Sequence, residues 1–323
     1  MIRVEGLKKY YPVQKSAIEA LISRKREYIR AVDGVTFSVG KGEVLSLVGE
    51  SGCGKTTTGR MIVGLEHPTE GRILYNGKDI SNLSGEEFRE MRRKIQMIFQ
   101  DPYASLNPRM RIGDHLIDPL LIHGIADKDE AKEIAMRMLD RVGLPGEEFY
   151  GRMPHQLSGG QRQRVVIARA MILKPEFVVA DEAVSMIDVS LRASILQLLM
   201  EFKRDYNLSM IFITHDISVG KIVSDRIAVM YLGRIVEIGD IDEVIHHPRH
   251  PYTAALLSSV PSFVKRRESV EIRGDIANPI DIPKGCRFHP RCPLARDKCR
   301  KEEPEISEEK HGFACHYPLD IAF

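Results

Sequence analysis

Apolar residues in this chain come in short blocks. VLSLVG (Val44–Gly49), IQMIF (Ile95–Phe99), FVVA (Phe177–Ala180) and MIFIT (Met210–Thr214) are almost wholly apolar. That is the pattern of strands buried on both faces. Between the blocks the spacing becomes helical, over Thr56–Leu65, Gly160–Leu173 and Leu191–Tyr206. Strands alternating with helices predict an α/β fold with a parallel sheet covered on both sides. Near the start, Ile2–Val4 and Val35–Val39 cluster β-branched residues and predict an N-terminal β region. The basic stretch QKSAIEALISRKREYIR between them is expected to be partly helical and exposed.

Two stretches break the rhythm. Across 101–157, Pro102, Pro108, Pro119, Pro145 and Pro154 punctuate short helical pieces such as Glu130–Arg141. This predicts a helical subdomain, about 101–172, inserted into the α/β core. After about Ile245 the chain turns rich in proline, histidine and charge. The expected division is therefore 1–245 for the main domain and 246–323 for a separate C-terminal appendage. No internal repeat is apparent.

Composition narrows the picture by exclusion. The chain has 323 residues, 43% hydrophobic, enough for a sizeable core. With 28% charged residues and a formal net charge of +2, it lacks the basic excess of a nucleic-acid-coating protein. The start, MIRVEGLKKYYP, has no apolar run, so no secretory leader is expected. No apolar stretch approaches the roughly 18 residues needed to span a bilayer.

The first chemistry lies at GESGCGKTT, comprising Gly49, Glu50, Ser51, Gly52, Cys53, Gly54, Lys55, Thr56 and Thr57. It matches G-x-x-x-x-G-K-[ST] and sits after an apolar strand and before a helix. Glycines there let backbone N–H groups curl around phosphate oxygens, and the helix N-terminus adds positive potential. Lys55 can reach the β- and γ-phosphates, and Thr56 can ligate Mg²⁺. The run FVVADE supplies the partner acids at the carboxyl end of a buried strand, where ligands of open parallel sheets bind. Asp181 is positioned to hold Mg²⁺ through water, and Glu182 to polarise an attacking water.

A second glycine motif, LSGGQRQR, opens at Leu157. Ser158 and Gln161 fit an S-x-x-Q capping box, and Val165, Ala168 and Ile172 continue as an apolar stripe. A cap does not explain Gly159 and Gly160, since glycine costs about 1 kcal/mol against alanine in a helix. Exposed N–H groups at a helix start suit an anion, yet no lysine accompanies them. It is half a phosphate site.

With these motifs in this order, residues 1–245 resemble the ATP-binding-cassette (ABC) ATPases, in which two nucleotide-binding domains pair head to tail. The resemblance implies that LSGGQ faces a nucleotide held by the phosphate loop of a partner subunit. It also implies Gln100 as the Q-loop glutamine that meets Mg²⁺ and the transporter, Asp188 in the D-loop, and His215 as the switch histidine at the γ-phosphate. Tyr11 becomes the aromatic that stacks on adenine, with Tyr10 as alternative. After the Asp–Glu pair this family usually has proline; here Ala183 stands, leaving Glu182 freer than the extended conformation a proline imposes. Every reacting group is present, so an active ATPase is expected.

Cys286, Cys292, Cys299 and Cys315 crowd the tail with spacing C-x5-C-x6-C-x15-C. Four thiolates can close a Zn²⁺ site or hold an iron–sulfur cluster. His289, His311 and His316 could substitute as zinc ligands, and two disulfides or four free thiols are the plainer alternatives. His246, His247 and His250 read as tail structure. HPYTAALLSSVP and GCRFHPRCP resemble the C-terminal region of the oligopeptide/dipeptide importer branch, some of whose members carry a 4Fe–4S cluster. The resemblance thus implies a cluster ahead of zinc. It further implies a peripheral protein on the cytoplasmic face of the membrane, working with two permease subunits, a second ABC ATPase (a heterodimer rather than a homodimer) and, indirectly, an extracellular solute-binding protein. No nucleic acid is expected. The alternative is a soluble ABC ATPase acting on ribosomes or DNA.

Overall fold

The computed structural model describes residues 1–13, 27–259, 272, 274–275, 277–307 and 310–320. Most of the basic stretch after Val13, expected to be partly helical, lies outside the described residues. The chain divides into two compact units. The first comprises Met1–Val39, Val44–Asn82 and Thr214–Phe323, and the second Gly40–Glu43 and Leu83–Ile213.

In the first unit, β1 (Ile2–Pro12), β2 (Tyr28–Val39), β4 (Glu70–Tyr75) and β5 (Lys78–Asp79) form an antiparallel sheet in the order β2-β1-β4-β5. Ile2 faces Val39 on one side and Tyr75 on the other. Alternation along β2 buries Val35, Phe37 and Val39 and leaves Gly34, Thr36 and Ser38 outward, the period of a half-buried strand. The N-terminal β region is therefore as expected, and longer than the two β-branched clusters alone indicate.

A second sheet of this unit contains β3 (Val44–Val48), β9 (Arg226–Tyr231), β10 (Arg234–Asp240) and β11 (Gly312–Phe313). β3 pairs with β9 in parallel, while β10 pairs antiparallel with both β9 and β11. Every residue of β3 is buried.

The texture change near Ile245 marks no break in packing. Tyr252 and Phe288 of the tail lie in one apolar cluster with Val48, Val229 and Tyr231, and β11 extends the sheet. The tail's apolar side chains are covered by the strands that carry the phosphate loop. It belongs to the first unit rather than forming a separate appendage.

The second unit holds β6 (Ile95–Ile98), β7 (Phe177–Asp181) and β8 (Ser209–Thr214), all parallel neighbours in the order β8-β7-β6. β7 and β8 are buried throughout, as apolar blocks require. The helices Ile112–Ile122, Lys128–Arg141 and Gly159–Met171 belong to the same unit. Val165, Ala168 and Ile172 are all buried, so the stripe read from the sequence is the packed face.

Candidate nucleotide site

The phosphate loop lies in the first unit, between β3 and the helix Lys55–Ile62. Gly54 is the helix N-cap with φ +108°, and a Cβ there would stand 2.2 Å from the Ala31 carbonyl oxygen. Gly52, at φ +80°, has open space around it. The Lys55 ammonium is buried and donates to the carbonyls of Gly49 (2.7 Å) and Glu50 (2.9 Å). These two contacts fold the lysine onto its own loop. Cys53 is buried beside it, and burial pushes its thiol pKa up.

Tyr11 and Tyr10 end β1 in the same unit, and the structure separates their partners. Tyr10 donates its hydroxyl to Asp33. Tyr11 donates to Glu66 and lies beside Thr57, just after the loop lysine. Burial and Glu66 raise the Tyr11 hydroxyl to about 12. Of the two, Tyr11 is the one next to the phosphate-loop helix. His215 follows β8 and is exposed, before the helix Ile217–Val223 capped by Asp216.

The second unit carries the remaining residues. Asp181 ends β7 and is buried. Glu182 follows with φ +45°, a left-handed value that costs a non-glycine residue on the order of 1–3 kcal/mol. Its N–H donates to the Ile213 carbonyl (2.9 Å), and its carboxylate accepts from the Gln100 amide (2.9 Å). The structure thus joins two of the sequence-predicted residues directly, across 82 positions of chain.

LSGGQ opens the helix Gly159–Met171, and the capping box is present: Gln161 N–H donates to Ser158 Oγ (3.3 Å) and Ser158 N–H to Gln161 Oε1 (3.0 Å). The two glycines differ. A Cβ on Gly160 would meet Leu191 at 2.8 Å, so packing accounts for it. A Cβ on Gly159 would meet nothing nearer than the Tyr103 hydroxyl at 3.7 Å, and its φ is ordinary. Neither packing nor backbone conformation within this chain requires glycine at 159. Asp188 stands exposed at the N-cap of the helix Val189–Tyr206 without capping it.

The ABC transporter family matches residues 32–185, and the C-terminal region of the oligopeptide/dipeptide transporter family matches residues 236–299. The oligopeptide transport ATP-binding protein AppF of Bacillus subtilis is 47% identical, over 98% of this chain and 97% of its own length. The dipeptide transport ATP-binding protein DppF of Haemophilus influenzae is 44% identical, over 98% and 96%. This chain belongs to the oligopeptide/dipeptide branch of the ABC transporter ATP-binding proteins. Among solved structures, the ATP-binding cassette MJ0796, a dimer in a post-hydrolysis state bound to ADP and Pi, is 29% identical with a TM-score of 0.65, covering 75% of this chain and 99% of its own. The fold is accordingly the α/β ABC cassette, with a mixed parallel sheet and an N-terminal antiparallel sheet. Members of this family bind and hydrolyse ATP as the energising subunits of peptide importers, and that is the activity of this chain. Membership decides against the ribosome- or DNA-acting alternative. Among the described residues no helix is long and apolar enough to cross a membrane.

In the tail, Cys286, Cys292, Cys299 and Cys315 line one small cavity, together with His289 and His316. All are free thiols, so the disulfide alternative is not what the structure contains. Burial, reinforced by the neighbouring cysteines, raises Cys286 to about 11 and Cys315 to about 12. Among the described residues no three His, Cys, Asp or Glu side chains lie close enough together to hold a single metal ion. His311 is bonded to the buried Glu237 (2.7 Å). His250 is buried, and its ring nitrogen accepts from Tyr252 N–H to cap the helix Pro251–Ser258. Sequence reasoning missed two residues that touch the phosphate loop, Tyr252 and Arg291. The HPYTAALL and GCRFHPRCP stretches contain them, but nothing local signals a partner more than 200 positions away.

Proposed function

We propose that the chain clamps Mg-ATP jointly with a second cassette, its own phosphate loop taking one nucleotide and its LSGGQ the nucleotide held by the partner. In this reading the loop Gly49–Thr57 cradles the phosphates, Lys55 neutralises the β- and γ-phosphates, and Tyr11 stacks on adenine. Thr56, Gln100 and Asp181 would hold Mg²⁺, which would neutralise charge on the phosphate oxygens. Glu182 accepts the proton of the attacking water, oriented by the Gln100 amide. His215 contacts the γ-phosphate, and Asp188 approaches the partner. Closing the pair pushes on two permease subunits docked near Gln100, and hydrolysis lets them reopen. The expected partner cassette is a different chain, the site of action the cytoplasmic face of the membrane, and the cargo di- or oligopeptides captured by an extracellular binding protein.

The observation that carries this reading is Gly159. The fold leaves space at that position, and the family pairing supplies a reason for a bare backbone there. Gly159→Asp tests it. Aspartate is favourable in the first turn of a helix, so the variant should fold as the parent does and keep ATP on its own loop. In the assembled transporter the added carboxylate should repel the partner's γ-phosphate and lower ATP hydrolysis by about 100-fold or more. Unchanged hydrolysis would overturn the assignment.

For the tail, four free thiols lining one cavity, with no three donors among the described residues converging on one point, suit a polynuclear iron–sulfur group held by one thiolate per iron rather than a single zinc. Cys286, Cys292, Cys299 and Cys315 would be its ligands, and it would cross-link a segment with little regular structure of its own.

A further inference from the structure

The tail does more than cover the sheet, because it grips the second residue of the phosphate loop. Every polar group of Glu50 is engaged. Its N–H donates to the Tyr252 hydroxyl at 2.9 Å. Its carboxylate takes both terminal nitrogens of Arg291, at 2.6 and 3.0 Å. Its carbonyl accepts from the Lys55 ammonium at 2.9 Å and from the Cys53 N–H at 3.3 Å. A bidentate guanidinium–carboxylate pair fixes both position and orientation. Glu50 is therefore the link between two tail residues and the loop lysine.

The grip is rigid. Tyr252 is fully buried. It packs against Phe288 (ring centroids 5.3 Å) and Tyr231 (4.8 Å), while Phe288 meets Tyr231 edge-on at 5.3 Å. Arg291 is 8% exposed and sits over the Tyr231 ring at 5.8 Å. Four residues earlier, Arg287 anchors the same turn to Asp33, the Leu232 carbonyl and Glu303.

We propose that Arg291 and Tyr252 are positioning residues for ATP binding, holding the phosphate loop in its nucleotide-receptive shape through Glu50. The inference rests on the assignment of ATP to this loop. A free loop must be ordered before it can present its N–H groups to phosphate, and a loop held from behind avoids that cost. Losing the grip weakens ATP binding and leaves the chemical step intact.

The test is ATP affinity by titration calorimetry on the full chain, with ATP KM and kcat measured in the assembled transporter. Tyr252→Phe removes one oxygen and leaves the Glu50 N–H without its partner, which should raise the Kd and KM for ATP about tenfold with kcat at saturation unchanged. Arg291→Ala should do the same. The Tyr252→Phe/Arg291→Ala double variant should be no weaker than either single one, because the two residues act as one unit. Arg291→Lys, keeping charge but not the fork, should recover only part of the loss. Affinity unaltered in Tyr252→Phe, or losses that multiply in the double variant, would overturn the proposal; a lowered melting temperature with normal affinity would reduce the tail to a staple. If Arg291→Ala fails to fold, Tyr252→Phe decides alone. Lys55→Ala separates this failure from that of the underlying assignment. If Lys55→Ala also binds ATP normally, the loop is not the ATP site and both readings fall. If it loses binding while Tyr252→Phe does not, only the positioning role falls.

Discussion

Replacing Gly54 by alanine separates backbone strain from steric conflict in the phosphate loop. At φ +108°, any side chain there costs about 1–3 kcal/mol. Its Cβ would also lie 2.2 Å from the Ala31 carbonyl oxygen, where real Cβ atoms essentially never come within 3.0 Å. Loop or strand must then move by about 0.8 Å, and an overpacked site costs roughly a further 1–3 kcal/mol. Gly52→Ala is the control. It shares the left-handed conformation, at φ +80°, but meets nothing within 4 Å. Thermal unfolding should show a fall of ~5–10 °C for Gly54→Ala and ~2–5 °C for Gly52→Ala. Calorimetric titration should show ATP binding weakened by about 100-fold in Gly54→Ala, because displacing a cradle by most of an ångström is that costly. If Gly54→Ala matched Gly52→Ala in melting temperature and bound ATP as the parent does, the account of the loop as a tightly fitted cradle would be wrong.

Further outcomes follow from the same geometry. Glu182→Gln should retain ATP binding while steady-state phosphate release falls about 10²–10⁴-fold. Protein purified without oxygen should be brown and contain iron and sulfide, and substituting Cys286 with serine should abolish the colour; a colourless protein binding one zinc would overturn the cluster assignment. His250, buried, has its pKa pushed down to about 4 against an ordinary 6.5. Between those values the unfolded chain binds the extra proton, so stability is complete above pH 6.5 and is lost as pH falls toward 4. The loss is up to about 3 kcal/mol, and chemical denaturation of His250→Gln should show a flatter profile over that window.

Much of the cassette was legible because its signals are local. VLSLVG, FVVA and MIFIT are almost wholly apolar, and the strands they became are buried throughout. The phosphate loop and LSGGQ are contiguous motifs, so each is read from a few neighbouring residues. The helix Gly85–Lys94 was not read, because only Met91 is buried and so there is no apolar stripe to see. β9 and β10 were missed although RIAVMY is an apolar block like the others. They fall between the last motif and the change of texture at Ile245. The appendage boundary misled for a related reason. Composition changes there, but Tyr252 and Phe288 return to the sheet that carries the loop. Long-range pairs were out of reach altogether. Nothing in ESGCG or in HPRCP announces that Glu50 and Arg291, 241 positions apart, form one ion pair. Histidines beside cysteines likewise suggested ligands, while His311 proved to be bonded to Glu237.

The pairing of two cassettes around nucleotide is tested most directly by the mass of the Glu182→Gln chain in solution, measured by light scattering with and without saturating Mg-ATP, alone and mixed with its companion cassette. The account predicts that Mg-ATP converts single chains into a two-cassette particle in at least one of those mixtures, and that adding Gly159→Asp prevents it. Single chains in every condition would contradict it.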